Sequence, residues 1–516
     1  MYIEAEINAG RIRGTRENGV AAFKGIPYGA DTSGENRFMP PRKPAPWSGT
    51  RDALAYVAQS PQSRVGFGRR NELEHFASPP DTTPESEDCL TLSVWTSGLG
   101  DGAKRPVMVW LHGGAFSFGS ANSARLDGTN LARRGDVVVV TVNQRLNVFG
   151  HLDLSALGGA EFAESGNAGT LDMIAALEWV SDHAELFGGD PGNVTIFGES
   201  GGGGKVSTLM AMPMARGLFH RAIVQSGAVI RLRERERAAK LTDAVLNELG
   251  LGRAQLGDLQ RLPWERLLAA VEPATKALGP SPWPLFDRYP FGPVVDGTTV
   301  PRQPFTPDTP DISDDIPLLV GDTKDEASLF LSQDDKVWEG TLTEAELRDR
   351  VAAVAGAHTD RVIETYRRVY PRMSPAERLI ATLTDSNFRI RSLLMAERRA
   401  RKSRAGTFMY SFAWETPAFG GRLKSPHAID VPFTFETVHL LAPSDRNEQA
   451  LALSAKMAGT WAAFARAGKP DHPAIPHWPA YTTERRATLI LDDDCRIEND
   501  PGGETRALWQ EIAQNV

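Results

Sequence analysis

A serine between glycines is the feature of the sequence best suited to nucleophilic chemistry. Residues 198–202 read Gly-Glu-Ser-Gly-Gly and follow a run of β-branched and aromatic residues at 193–197 that predicts a buried strand. Residues 205–214 carry an apolar pattern compatible with a helix. A Gly-x-Ser-x-Gly pattern between a strand and a helix is typical of a nucleophile elbow, whose tight turn presents the serine hydroxyl. We therefore predict that Ser200 is a catalytic nucleophile.

Two other interpretations of this glycine-rich segment compete. It could be only a flexible turn in which Ser200 is a polar residue without a catalytic role. A phosphate-binding loop would require a glycine where Glu199 stands and a hydroxyl where Val206 stands. A carboxylate in that position would also repel phosphate, so the sequence argues against a nucleotide-binding loop.

A catalytic serine needs a base, and the base needs an acid to orient it. After a nucleophile elbow the chain order is serine, acid, histidine, each following a strand. Candidate acids after a predicted strand at 316–320 are Asp322, Asp325 and Glu326, and spacing does not decide between the last two. His427 follows a predicted strand at 407–412 and is the leading base. The other downstream histidines are His358, His439, His472 and His477.

A second glycine-containing turn follows another predicted strand, at 106–111. It begins His112-Gly113-Gly114-Ala115. Small residues directly after a buried strand can turn backbone N–H groups toward a substrate oxygen. We predict an oxyanion hole here, the alternative being a tight turn that binds nothing.

Composition narrows the possible classes of protein. The chain has 516 residues, 41% of them apolar and 24% charged, with a net charge of −8. This acidity argues against a nucleic-acid partner, and no apolar run is long enough to span a membrane. The first residues lack the pattern of a signal peptide. Two cysteines, Cys89 and Cys495, are too few for a disulfide framework, so we expect a cytoplasmic protein.

The order of predicted elements indicates an α/β protein. Apolar strand-like runs alternate with helical segments such as 167–187 and 449–467, which favours a mostly parallel, doubly wound sheet. A strong capping signal predicts a helix from Ser374. We predict one domain over residues 1–516, with cap or lid insertions at about 59–88, 232–310 and 330–400.

With these residues in place, the chain resembles the type-B carboxylesterases. The resemblance covers nearly the whole sequence and implies an α/β-hydrolase fold and serine ester hydrolysis. It is carried by ordered segments at 23–28, 86–92, 143–150, 187–191, 198–202, 291–297 and 461–465.

The resemblance also implies roles for individual residues. The glutamate of a Lys-Asp-Glu segment is the triad acid in this family, which selects Glu326. His427 opens the segment that holds the family's histidine. The oxyanion donors would be the N–H groups of Gly114, Ala115 and Gly201.

Two further residues take roles from the same resemblance. Gly113 would shape the turn of the oxyanion hole. Glu199 would be the buried acid beside the nucleophile, with a solvated turn carboxylate as the alternative.

Four features depart from the usual family pattern. Gln144 stands where tyrosine is common, Gly201 replaces the usual alanine, and the continuation at 203–205 (Gly-Gly-Lys) is less usual. In secreted members Cys89 pairs with an earlier cysteine, but no cysteine precedes it here. The first three departures concern the shape of the pocket and not the chemistry, whereas the missing cysteine supports a reduced, cytoplasmic protein.

The sequence thus predicts a serine carboxylesterase that acts on a small-molecule ester through a covalent acyl-enzyme. No metal or cofactor is required. Carbamate, amide or polyester bonds are alternative substrates, and a noncatalytic binding protein of the same fold is a further alternative. Oligomeric state and natural substrate stay open. Candidate pocket-wall residues, which could equally be core, are Phe116, Phe118, Trp283, Phe286 and Phe330.

Overall fold

A computed structural model describes residues 1–63, 81–279 and 289–514. Within these residues thirteen strands form one sheet, in the order β1-β2-β3-β5-β7-β6-β8-β9-β10-β11-β12-β13, with β4 beside β2. The strands are β1 Tyr2–Ile7, β2 Gly10–Glu17, β3 Val20–Pro27, β4 Thr50–Asp52, β5 Thr91–Thr96, β6 Arg105–Leu111, β7 Val138–Val142, β8 Gly189–Glu199, β9 Arg221–Gln225, β10 Leu318–Thr323, β11 Thr407–Phe412, β12 Ala487–Leu491 and β13 Arg496–Asn499.

The centre of the sheet is parallel and its two ends are antiparallel. Strands β7, β6, β8, β9, β10, β11 and β12 run parallel as neighbours. Strands β1, β2, β3, β5 and β7 pair antiparallel at one end, and β13 pairs antiparallel with β12 at the other. The prediction of a mostly parallel sheet is confirmed.

Helices connect the strands and cover the sheet. They are α1 Thr129–Gly135, α2 Asn147–His151, α3 Ser155–Gly158, α4 Ala168–His183, α5 Gly201–Leu209, α6 Arg235–Leu249, α7 Leu256–Arg261, α8 Trp264–Ala277, α9 Ala327–Leu331, α10 Asp335–Trp338, α11 Glu344–Ala355, α12 Thr359–Val369, α13 Pro375–Thr384, α14 Ile390–Lys402, α15 Val431–Phe435, α16 Glu448–Ala467 and α17 Gly503–Gln514. Among the described residues, no helix combines the length and apolar character needed to cross a membrane.

Both faces of the central strands are buried, as their continuous apolar sequences predict. In β6, Val107 and Val109 enter one hydrophobic cluster, whereas Met108 and Trp110 enter the cluster on the opposite face. The first cluster includes residues of α4 and α5, and the second includes residues of α1 and α16. Side chains that alternate along one strand therefore join two helix layers.

The helix after Ser200 differs from its prediction. It occupies Gly201–Leu209, whereas the apolar pattern predicted residues 205–214. Its first four residues are glycines, which are poor helix formers. A methyl group on Gly202 would lie 2.0 Å from the carbonyl oxygen of Leu111, so close packing against β6 requires glycine there.

Other differences lie toward the C-terminal half. The helix from residue 375 is interrupted by a π-helical turn at Asp385–Arg389 before it continues as α14. Strand β13 and helix α17 were not predicted, because their short, polar-rich sequences give weak periodic signals. The division into one domain with insertions stays a prediction. The 232–310 insertion contains helices α6 to α8, and the 330–400 insertion contains α10 to α14.

Candidate active site

Ser200 occupies the turn between β8 and α5, at the carboxyl end of the parallel strands. Its backbone angles are φ 56° and ψ −123°, a conformation that residues other than glycine rarely adopt. Its amide donates a 2.8 Å hydrogen bond to the carbonyl oxygen of Gln225 at the end of β9. Strain of this kind persists only where the surrounding structure enforces it, and it is the expected state of a nucleophile elbow.

The predicted acid and base are in direct contact. Nδ1 of His427 lies against Oε2 of Glu326, and both side chains are buried. The other oxygen of Glu326 accepts a 2.8 Å hydrogen bond from the amide of Thr323. Glu326 is thereby fixed by the end of β10, and it fixes the orientation of the imidazole in the loop after β11.

Glu199 places this imidazole beside the serine turn. Its Oε1 lies 3.2 Å from Nε2 of His427, although the two residues are 228 positions apart in the chain. Glu199 immediately precedes Ser200, so the nitrogen opposite Glu326 faces the turn that carries Ser200. Burial is the main cause that raises the pKa of Glu199 to about 8, and Asp430 and Glu326 add to it, while His427 opposes the shift.

The charge environment of His427 is unusual for a histidine. Burial alone would lower its pKa, but Glu199 and Glu326 outweigh that effect and raise it to about 9. An unperturbed histidine has a pKa of about 6.5. The two carboxylates therefore stabilise the protonated imidazole.

The predicted oxyanion loop lies against the serine turn. A methyl group on Gly113 would lie 3.5 Å from Cβ of Ser200, and one on Gly201 would lie 2.4 Å from the backbone nitrogen of Ala115. Gly114 and Ala115 have positive φ angles of 98° and 50°. The structure thus brings the four predicted oxyanion residues together around Ser200.

A buried polar network below the turn was not predicted. The side chain of Gln225 donates a 2.8 Å hydrogen bond to Asp430, and Tyr410 donates one of 3.1 Å to the same carboxylate oxygen. Trp461 donates to the side-chain oxygen of Gln225 at 3.1 Å. Because Gln225 also accepts from the amide of Ser200, this network supports the turn from beneath. Asp430 lies in the segment that begins at His427. The resemblance of that segment to the family pattern was the sequence signal that could have identified Asp430.

Aromatic rings flank the imidazole. The rings of Phe330 and Phe388 have centroids 5.0 and 5.1 Å from that of His427. Phe388 belongs to the π-helical turn at Asp385–Arg389. Phe116 packs against His151, and Phe118 against Tyr289. The predicted wall residues Trp283 and Phe286 lie outside the described residues.

The other candidate acids and bases lie elsewhere. The backbone amide of Asp325 donates to the carbonyl oxygen of Ser425, and its carboxylate accepts from the Ser425 amide at 3.4 Å. Asp322 faces Arg389. His358 lies in the short helix Gly356–His358, and His439 is exposed.

The parallel sheet, the strained turn after β8 and the loops after β10 and β11 define an α/β-hydrolase fold. A family model described as "Carboxylesterase family" matches residues 2–509 of the chain. The chain therefore belongs to the carboxylesterase family, and it is a carboxylic ester hydrolase.

Individual relatives agree with this assignment. The chain is 37% identical to para-nitrobenzyl esterase of Bacillus subtilis over 502 residues, which cover 96% of each chain. It superposes on the crystal structure of a carboxylesterase of Geobacillus stearothermophilus with a TM-score of 0.83, at 37% identity over 98% of this chain and 100% of that chain. An esterase of Clostridium hathewayi, described as able to hydrolyse aliphatic aromatic polyesters, superposes with a TM-score of 0.80 at 35% identity, over 99% and 98% of the two chains.

Proposed function

We propose that the protein hydrolyses small carboxylic esters through Ser200, His427 and Glu326. The observation that carries this proposal is the position of the His427 ring. One ring nitrogen contacts Glu326, and the other faces the Glu199–Ser200 turn. An imidazole held in this way can accept a proton on Nε2 while Glu326 keeps the proton on Nδ1.

The proposed reaction has two halves. Oγ of Ser200 attacks the ester carbonyl carbon as its proton passes to Nε2 of His427. The carbon–oxygen bond to the alcohol then breaks, and His427 gives its proton to the departing alkoxide. Water repeats the sequence on the acyl-serine, and the carboxylic acid leaves. Each half passes through a tetrahedral oxyanion that requires hydrogen-bond donors.

Those donors are proposed to be the N–H groups of Gly114, Ala115 and Gly201. Support comes from the contact between the loop and the serine turn, since Gly201 and the nitrogen of Ala115 are close neighbours. A methyl group on Gly113 would lie 3.1 Å from Oε2 of Glu199 and 3.5 Å from Cβ of Ser200, so a larger residue there would press on the serine turn. Loss of one good donor typically lowers kcat by about 10²–10³-fold.

Polyester bonds are a second candidate substrate. The support is the similarity to the Clostridium hathewayi esterase, whose description names aliphatic aromatic polyesters. Fold and triad do not decide between this and small esters, because substrate choice lies in the loops around the site.

We also propose that the protein works without a metal or cofactor and in the reducing cytoplasm. Both cysteines are free thiols, and Cys89 is buried. Fractionation of the source cells, followed by thiol labelling of the denatured protein, tests the location. Recovery from an oxidising compartment would contradict it.

The test of the proposed function is hydrolysis of aryl esters of graded acyl length by the wild type and by Ser200→Ala. We expect wild-type turnover and a loss of several orders of magnitude in the variant. Ser97→Ala is the matched control, because its hydroxyl makes only a 3.5 Å contact to Ala132 in α1. A noncatalytic binding protein would give equal, negligible rates for all three. A film of aliphatic aromatic polyester in the same assay tests the second candidate.

A further inference from the structure

Lys205 is a buried lysine that the proposed reaction does not use. It lies in α5, five residues after Ser200, and only 1% of its surface is exposed. Among the described residues, no carboxylate forms an ion pair with it. Its Nζ donates a 2.8 Å hydrogen bond to the carbonyl oxygen of His112, the residue before the oxyanion loop. An isolated ammonium group is costly to bury, so its position calls for a compensating role.

Gln144 joins Lys205 to the ring of His112. One amide atom of Gln144 lies 2.7 Å from Nε2 of His112 and also 2.7 Å from Nζ of Lys205. On the other side of the ring, Nδ1 of His112 lies 2.7 Å from the carbonyl oxygen of Gly113. Gln144 and His112 are 1% and 2% exposed, so these contacts are shielded from water.

The orientation of the Gln144 amide follows from its other contact. One amide atom lies 3.3 Å from the carbonyl oxygen of Val142, which can only accept, so this atom is the nitrogen and it donates there. The atom between Lys205 and His112 is therefore the oxygen, which accepts from Nζ of Lys205 and from Nε2 of His112. Nζ of Lys205 thus donates to two oxygens, that of Gln144 and that of the His112 carbonyl. Burial lowers the pKa values of both Lys205 and His112.

These contacts fix two consecutive peptide planes. In a trans peptide the carbonyl of one residue points opposite to the N–H of the next. Lys205 donates to the carbonyl of His112, and Nδ1 of the His112 ring lies 2.7 Å from the carbonyl oxygen of Gly113. The N–H groups of Gly113 and Gly114 must therefore point the other way, and a methyl group on Gly113 would lie 3.5 Å from Cβ of Ser200.

We propose that Lys205, Gln144 and His112 form a clamp that orients the oxyanion loop, with Lys205 and Gln144 as positioning residues for ester hydrolysis. The proposal rests on the proposed function of that loop. Gln144 and Lys205 are two of the departures from the usual family pattern, and the structure places them in contact. They act as one unit, each supplying a partner that the other requires.

The test uses Lys205→Met and Gln144→Met, alone and combined, with p-nitrophenyl esters as substrates. We expect Lys205→Met to lower kcat at least about tenfold while KM changes less than about threefold, because the clamp acts on the oxyanion. The inhibition constant of a substrate-like trifluoromethyl ketone, which forms a tetrahedral adduct with serine, should rise by the same factor as kcat/KM falls. The double variant should lose little more activity than the less active of the two single variants. The effects of substitutions within one interacting unit do not add.

Thr208→Val is the matched control. Thr208 is buried in the same helix, and its hydroxyl bonds only the Gly204 carbonyl of that helix at 2.8 Å. Its kcat and its ketone affinity should equal those of the wild type. Thermal unfolding of every variant separates positioning from folding, and Gln144→Met carries the test if Lys205→Met does not fold.

Three results would overturn the clamp. They are a Lys205→Met kcat within about twofold of wild type, an equal loss in Thr208→Val, or multiplicative losses in the double variant. The Ser200→Ala comparison is made on the same substrates. If wild type and Ser200→Ala are equally inactive, the proposed function fails; if only Ser200→Ala is inactive and Lys205→Met is unchanged, the clamp alone fails.

Discussion

Oε1 of Glu199 lies 3.2 Å from Nε2 of His427, on the side of the ring opposite Glu326. Nε2 is the nitrogen proposed to take the proton of Ser200. A carboxylate at that position stabilises the imidazolium formed during reaction, but it also stabilises the protonated resting state. In the proposed reaction, the same contact therefore supports catalysis and restricts it to higher pH.

The first prediction concerns the pH dependence of kcat/KM. As the proposed base, His427 can accept a proton only when it is neutral, so a raised pKa moves the acid limb of the profile to higher pH. Glu199 and Glu326 raise that pKa to about 9. We expect the acid limb of aryl ester hydrolysis to have its midpoint above the ordinary histidine value of about 6.5. A midpoint at or below that value would show that Glu199 and Glu326 do not raise the pKa of His427.

The second prediction isolates Glu199. Glu199→Gln removes one of the two charges that stabilise the protonated ring, so the pKa of His427 should fall and the acid limb should move to lower pH. The matched control is Glu415→Gln, an exposed carboxylate that pairs with Lys324 at the surface. Its profile should coincide with that of the wild type. Equal profiles for all three proteins would show that Glu199 does not affect the pKa of His427.

The third prediction compares two adjacent acids. Glu326→Gln keeps the shape of the side chain but presents an amide to the imidazole, which disturbs the required tautomer. A comparable change in a serine protease triad lowers kcat about 10⁴-fold, and we expect about 10³–10⁴-fold here. Asp325→Asn should stay close to wild type, because its carboxylate faces Ser425. Steady-state rates on one aryl ester decide, and the opposite ranking would identify Asp325 as the triad acid.

This pair shows what the sequence could and could not predict. Residues 325 and 326 both follow a predicted strand, and side-chain chemistry does not separate them. The two acids differ in their tertiary contacts. At the end of β10 the amide of Thr323 donates a 2.8 Å hydrogen bond to one carboxylate oxygen of Glu326, and the other oxygen contacts His427. The family resemblance selected Glu326, whereas local pattern could not.

Elements with strong local patterns were easier to predict. The run predicted as a strand at 106–111 is apolar throughout and forms β6. The helix after Ser200 was misplaced because glycine disfavours helices. Close contacts outside the helix explain its first glycines: an added methyl group would lie 2.4 Å from the nitrogen of Ala115 at Gly201, 2.0 Å from the carbonyl oxygen of Leu111 at Gly202 and 2.9 Å from Cα of Gly227 at Gly203. From the sequence alone, Lys205 would be predicted to lie on the surface. Its burial depends on tertiary contacts, which leave no local sequence signal.

The fourth prediction concerns stability. The guanidinium of Arg145 forms 2.6 and 2.9 Å contacts to Asp172, and both residues are buried. Asp172→Ala leaves the guanidinium buried without its partner, which typically costs about 3–5 kcal/mol. Denaturant unfolding should show a loss of this size. Glu272→Gln, in an exposed pair with Lys276 on α8, should leave the unfolding curve unchanged. Equal curves for the two variants would contradict the structural importance of the buried pair.

The fifth prediction tests why glycine replaces alanine after the nucleophile. A methyl group at residue 201 would lie 2.4 Å from the nitrogen of Ala115 and 2.9 Å from its Cα, so Gly201→Ala must push the oxyanion loop away from Ser200. Displacements of about 1 Å can cost about a hundredfold in rate, and we expect kcat to fall at least about tenfold with a smaller change in KM. Gly257→Ala is the control, because a methyl group there has its nearest neighbour 3.6 Å away on exposed α7. That variant should keep full activity and gain stability, since alanine favours a helix over glycine. If Gly201→Ala keeps full activity as well, the loop has room to retreat without loss, and its close approach to Gly201 does not set the rate.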